Sequence, residues 1–444
     1  MTGYDIFVTC ILIIFAILVG TIISNFEDKQ LQKHFKYGLF IKLIGGLSFA
    51  LVYTYYYDYG GDTRVYYNSA QNLTSILFSD INNFYSLFFL EDLGNLTQNQ
   101  FNQYFGFGLD TSEFTVIRIT SILNIIGFNS YYGTTIVFAF LSFFGVWIFY
   151  RAFVSFFPKI KNQLAFPFLY FPSVFFWGSG ISKDTIVIGF MGLTFFFFLK
   201  LSKKFNLFYL FLSLSSGYLI FQIKSYIILS IIPVLGIYYF LQKRKTIENQ
   251  LIKVSVLPVF LSISIGFSYL GLTYLGEINP KYSVENVIST SQQMQSWHYV
   301  EGENSADNHG RGSSYTLGDY DPTILGVIGI APSAINVALF RPYFWEVKNA
   351  GMLAAAIESA GMLLFTIIVI FKVKPLNFLK HTFNNNLVFL CLTFSLLFLF
   401  FVGFSSYNFG ALMRYKIPAI PFFLSGLIII IHLSKDHKEL KTFK

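Results

Sequence analysis

Apolar runs dominate the chain and set its elements. A spanning helix needs about twenty apolar residues. Runs of that kind occupy 5–25, 37–57, 132–153, 164–178, 184–200, 207–222, 225–241, 253–275, 350–371, 386–403 and 417–433. The pattern predicts an all-α polytopic membrane protein with about eleven transmembrane helices. The runs at 164–178 and 207–222 are short, and 222–225 leaves room only for a tight hairpin. The runs are continuous rather than alternating over ten-residue segments, which excludes a β-barrel. The first run has neither a basic leader nor a small-residue cleavage site, so it reads as a mature helix.

The polar breaks fall into two sets. One set is short and holds Lys29, Lys33 and Lys36, then Arg151, Lys159 and Lys161, then Lys200, Lys203 and Lys204. It continues with the basic cluster at 243–253, with Lys372, Lys374 and Lys380, and with the Lys-containing tail. This set carries about twice as many Lys and Arg as the other, so the positive-inside rule makes it cytoplasmic. The N-terminus is then outside and the C-terminus inside. The second set holds two long exterior loops, 58–131 and 276–349, in a single membrane domain 1–444. Long loops over a bundle are where binding and catalysis concentrate, so the exterior face is the expected working face.

Composition narrows the function classes. Only 12% of the 444 residues are charged, against about 25% in soluble chains. A soluble domain, a disordered chain and a disulfide scaffold are excluded. The net charge of +8 is largely a topology signal, and no polar domain interleaves basic and aromatic residues for nucleic acid. No Gly-rich phosphate loop occurs, and no cytoplasmic break exceeds about a dozen residues, which excludes a cytosolic nucleotide domain. Cys10 and Cys391 sit inside apolar runs, and His298 and His309 lie apart in a loop with no partner motif, so no metal centre is expected. A divalent cation accompanying a substrate stays open.

Four segments carry candidate chemistry. In DYGGDTRVYYNSAQNL, Asp58 and Asp62 follow directly on a span and Gly60–Gly61 make a turn. Asp62 fits either an N-cap for a helix from Thr63 or a general base at the mouth of the bundle. Asp58 fits either a solvated carboxylate or a substrate contact. Tyr66, Tyr67, Ala70, Leu73 and Ile76 give that helix one apolar side, which suits it to lie flat on the bilayer. In FPSVFFWGSGISKDTIVIGF, Pro172 sits in a short span that ends at Trp177–Gly180, and Ser182, Lys183 and Asp184 cap the returning helix. Such an interrupted hairpin suggests a lined cavity, with the alternative of a tight turn and a Lys183–Asp184 pair.

The loop 276–349 has a Gly/Ser/Asn-rich middle with Arg311, followed by TILGVIGIAPSAINVALF and RPYFWE. The apolar piece reads as a re-entrant or interfacial helix, because a full span would invert the charge bias of the helices after it. Arg341, Trp345 and Glu346 then fall at the water–lipid boundary, with Arg341 either snorkelling or forking onto a phosphate. In SSYNFGALMRYKIPAIPFF, Arg414 and Lys416 lie outside against the positive-inside trend, and Glu358 lies within a span. Misplaced cations and an intramembrane carboxylate mark candidate function.

Together these features suit a lipid-linked phosphate substrate: a polyprenyl tail among phenylalanines, a phosphate near Lys183, Arg341 or Arg414, and a head group under the exterior loops. The order of features resembles the GT-C superfamily of integral-membrane glycosyltransferases, over about 1–240 and the last thirty residues. Asp62 followed by Tyr66 and Tyr67 is similar to that family's acidic first-loop motif. PSVFFWGSGISKDTI is similar to its Pro-Ser…Ser-Glu helix pair, with Asp184 at the acidic position. MRYKIPAIPF is similar to its late Arg-Tyr segment, with Arg414 at the Arg. The resemblance implies sugar transfer from a polyprenyl-phosphate donor to a glycan, lipid or protein acceptor at the outer face of a bacterial inner membrane. It implies Asp62 as the catalytic residue. Asp58, Tyr66, Lys183, Asp184, Arg311, Arg341, Glu346 and Arg414 are the expected substrate contacts. A polysaccharide polymerase or ligase, rich in exterior Arg, is the alternative expectation. A flippase for the same lipids is a second, although no internal repeat is evident.

Overall fold

The structure, a computed structural model, describes residues 1–57, 60–244, 273, 287–304 and 313–442. Every regular element among them is helical. The contacts divide the chain into two compact units, Met1–Ser225 and Tyr226–Lys444.

Unit 1 is built on α1 (Gly3–Ser24), α2 (Lys29–Tyr55), α7 (Tyr131–Val154) and α10 (Lys183–Lys203), each long and apolar enough to cross a membrane. Helices α7 and α10 pack with their backbones nearly touching. A Cβ on Gly145 would lie 2.2 Å from the Gly189 carbonyl oxygen, and one on Gly192 2.0 Å from that of Gly145. In lipid there is no hydrophobic drive between helices, so close approach at small residues supplies the packing. Against α7, Phe35 of α2 sets its ring 4.9 Å from both Phe143 and Trp147.

Between α2 and α7 the chain forms a cap of α3 (Gly61–Ser79), α4 (Ile81–Tyr85), α5 (Gln98–Tyr104) and α6 (Ser112–Ile126). The apolar side expected to lie on the bilayer is instead buried in protein. Tyr66, Tyr67, Ala70 and Leu73 are all buried, and Thr74 bonds both its own helix and the Ser121 carbonyl of α6. An amphipathic stripe does not say which apolar partner covers it, and here α6 does.

The run 164–178 does not form one continuous helix. It breaks into α8 (Lys161–Ala165), a π turn at Phe166–Tyr170 and α9 (Pro172–Trp177), with Phe171 extended between them. Pro167 and Pro172 account for the interruption, because each lacks the N–H that a continuing helix needs. Runs 207–222 and 225–241 form two helices that meet at the non-helical Lys224, together α11 (Leu207–Lys243). Unbroken, its 37 residues would be about 55 Å long, well beyond the roughly 30 Å of bilayer hydrocarbon.

Unit 2 holds α12 (Val287–Asn304), α13 (Ile324–Gly329), α14 (Ala331–Phe340), α15 (Ala350–Val373), α16 (Pro375–Asn384), α17 (Asn386–Ser406), α18 (Phe409–Tyr415) and α19 (Ile420–Thr442). The apolar piece 323–340 forms two short consecutive helices, α13 and α14. It is laid on α17 so closely that a Cβ on Gly403 would lie 2.1 Å from the Ala334 carbonyl oxygen. Phe394 of α17 and Phe422 of α19 meet edge to face at 4.8 Å.

Among the described residues, seven helices are long and apolar enough to span, or eight with the pair Phe409–Tyr415 and Ile420–Lys435, bent by 64°. The difference from about eleven expected spans has three sources: the interrupted run at 164–178, the two helices of α11 taken together as one, and the run at 253–275, which lies outside the described residues.

Candidate functional site

One end of unit 1 collects the N-terminus of α1, the C-terminus of α2, the N-termini of α7 and α10, and the cap. Tyr4 donates to the Phe128 carbonyl at 2.6 Å, and Ser130 donates to Asp5 at 2.8 Å. Asp62, Lys183 and Asp184, singled out from the first two segments, are at this end.

Gly60 and Gly61, at φ 69° and 54°, turn the chain from α2 into α3. A Cβ on Gly60 would stand 2.1 Å from the Arg64 side chain, so the turn needs glycine. Helix α3 begins at Gly61 with Gly60 as its N-cap. Asp62 is therefore inside the first turn and is not the N-cap, a correction that follows from the left-handed glycine taking that position. Its carboxylate is exposed, and among the described residues it makes no hydrogen bond or ion pair. Arg64, two residues further along α3, donates to Thr54 at 2.7 Å and lays its guanidinium 3.7 Å above the Tyr131 ring. That cation–π contact fixes the guanidinium at the junction of α2, α3 and α7.

Ser182 caps α10, its hydroxyl accepting from the Thr185 N–H at 3.2 Å. Lys183 and Asp184 do not pair with each other. Lys183 reaches outward to α6, donating to Glu113 at 2.6 Å and Ser112 at 2.8 Å. Asp184 faces inward and accepts from Lys224 at 2.5 Å, both side chains being almost wholly buried. Asp62 and Lys224 both act electrostatically on Lys183, which places Asp62, Glu113, Lys183, Asp184 and Lys224 in one neighbourhood. Burial pushes the Glu113 carboxyl up, but the hydrogen bond and charge of Lys183 outweigh it and hold the group below the usual glutamate value. Two of the three carboxylates here are thus committed to lysines, and Asp62 is left open to solvent. Tyr66, one turn beyond Asp62, is buried with its ring 5.4 Å from Phe107.

In unit 2, Arg341 and Glu346 come together. Arg341 Nε donates to both Glu346 oxygens, at 3.0 and 3.1 Å, and its Nη2 adds a further bond to Oε1. The Tyr343 N–H donates to the same carboxylate at 2.7 Å. The guanidinium also lies 5.4 Å from the Phe409 ring centre. The fork expected to meet a phosphate is therefore filled by Glu346. Lys416 is buried and donates to Ser359 at 3.1 Å, within electrostatic reach of Glu358. Ser359 in turn donates to the Arg341 carbonyl at 3.1 Å. Arg414 lies half-buried on α18. Asp58 and Arg311 lie outside the described residues.

Four residues of interest were not picked out from the sequence. Glu113, Arg64 and Lys224 are ordinary loop or junction charges until the fold brings them to Lys183, Tyr131 and Asp184. Lys42 had a readable signal, a single cation deep in an apolar run. It is 3% exposed, and its ammonium has no hydrogen-bond partner among the described residues. Among the described residues no three His, Cys, Asp or Glu side chains are grouped to hold a metal ion. Comparison with known proteins found no matching family model, curated protein or solved structure.

Proposed function

We propose that this multi-pass α-helical membrane protein is a glycosyltransferase of the GT-C type. It transfers a sugar from a polyprenyl-phosphate donor to a glycan, lipid or protein acceptor at the outer face of the cytoplasmic membrane, in cell-surface glycan assembly. The observation that carries the reading is the open Asp62 carboxylate at the end of a helical bundle, within electrostatic reach of Lys183, while the neighbouring carboxylates are held by lysines.

In this reading Asp62 takes the proton of an acceptor hydroxyl as its oxygen attacks the anomeric carbon. The bond from that carbon to the phosphate oxygen breaks, and the electron pair leaves with polyprenyl phosphate. The negative charge on the leaving phosphate is met by Lys183 and by Arg64, whose guanidinium is already oriented by Tyr131. Asp184 keeps Lys224 neutralised and holds the start of α10 in place. In unit 2, Arg341 with Glu346 holds the loop after α14. The N-terminus lies outside and the C-terminus in the cytoplasm.

The test uses purified protein in proteoliposomes with a labelled polyprenyl-phosphate sugar and a hydroxyl acceptor. Labelled sugar on the acceptor is the expected result. Labelled lipid crossing the bilayer with no transfer would replace the enzyme by a flippase. Chain growth only from an oligosaccharide diphosphate donor would replace it by a polymerase.

A further inference from the structure

The opposite end of unit 1 has a built cavity that sugar transfer does not use. It measures about 430 Å³ and lies between the start of α2 and the ends of α7 and α10. Asp184 and Lys203 are separated by 19 residues of α10, or about 28 Å, so this cavity is remote from Asp62. Its apolar wall includes Leu31, Ile148 and Leu199, and its rim includes Arg151, Lys200 and Lys203.

The charges at the rim are only partly balanced. Glu27 accepts from Trp147 Nε1 at 2.9 Å and from Arg151, so its carboxylate is consumed by this pair. Lys200 and Lys203 stand one turn apart on one face of α10. Their ammonium groups lie 5.4 and 4.6 Å from the ring centres of Phe196 and Phe156 respectively. Neither forms an ion pair among the described residues. Asp28, exposed, is the other carboxylate lining the cavity. Two ammonium groups above an apolar wall, at the basic end that the positive-inside rule assigns to the cytoplasm, match a phosphate ester attached to hydrocarbon.

We propose that this cavity binds an anionic glycerophospholipid of the cytoplasmic leaflet, its phosphate between Lys200 and Lys203 and an acyl chain along the α2–α7–α10 wall. The lipid ties the ends of three spanning helices together, and its occupancy adds to the stability of unit 1.

The full chain in neutral detergent is titrated with dioleoylphosphatidylglycerol, dioleoylphosphatidylcholine and polyprenyl phosphate while its Tm is followed. Phosphatidylglycerol raises Tm and phosphatidylcholine does not. Lys200→Gln with Lys203→Gln weakens the phosphatidylglycerol midpoint by about tenfold or more, and Lys200→Arg with Lys203→Arg retains it. An equal response to phosphatidylcholine, or a response unchanged in the glutamine variant, overturns the site. A midpoint for polyprenyl phosphate about tenfold below that for phosphatidylglycerol overturns the bilayer phospholipid as its occupant.

Discussion

Asp184 accepts a hydrogen bond from Lys224 at 2.5 Å, and the two side chains retain only 2% and 7% of their exposure. The pair joins the first turn of α10 to the break in α11. Removing one partner leaves a buried charge without its counter-ion, which costs about 3–5 kcal/mol. Asp184→Ala is expected to lose about that much in chemical unfolding of the detergent-solubilised protein. Asp184→Leu combined with Lys224→Met is expected to recover most of the loss. Equal losses in the single and double variants would show that the pair does not act as a unit.

Glu113 ties the cap to α10 through Lys183. Its folded-state pKa lies below the ordinary 4.5, so its contribution to stability is complete above that value and is lost as pH falls through the folded pKa. The Tm difference between wild type and Glu113→Gln is therefore expected to be constant near neutrality and to shrink below pH 4.5. A difference that grows on acidification would reverse the sign of this coupling.

Lys42 presents the opposite case, a buried ammonium for which the surrounding protein supplies no hydrogen-bond partner among the described residues. Replacing it by an unbranched apolar side chain of similar size removes the desolvation cost. Lys42→Met is expected to stabilise the protein by about 1 kcal/mol or more. A loss of stability would mean that the ammonium is bound by a group other than the described residues.

The α7–α10 contact depends on the absence of side chains. At Gly192 a Cβ would meet the Gly145 carbonyl oxygen at 2.0 Å, and backbone cannot swing aside as a side chain would. Gly192→Val is expected to cost about 3 kcal/mol or more, read as a lower Tm and a broader elution profile. Gly361→Ala, with nothing within 4 Å of the added Cβ, is the control that leaves both unchanged.

Much of the helical frame was legible because spanning runs are long and their ends are marked by charge. The Ser182 cap was legible for an equally local reason, a serine three residues before the Thr185 N–H it accepts from. The partner of each polar residue was not. Lys183 and Asp184 are neighbours in sequence, but a helix sends adjacent side chains about 100° apart, so one reaches Glu113 and the other Lys224. The apolar stripe of α3 was readable, whereas its burial against α6 rather than lipid depends on a tertiary contact. Asp62 stood out by position, but that it lies inside the helix rather than capping it depends on the positive φ of Gly60.

The most direct measurement compares sugar transfer by wild type and Asp62→Asn in proteoliposomes of equal protein content. Asp62 is exposed and makes no bond among the described residues, so the substitution is expected to leave Tm unchanged. Loss of a general base is expected to lower the transfer rate by about 10²–10⁴-fold. Transfer at the wild-type rate by the folded variant would contradict the assignment of Asp62 as the catalytic base.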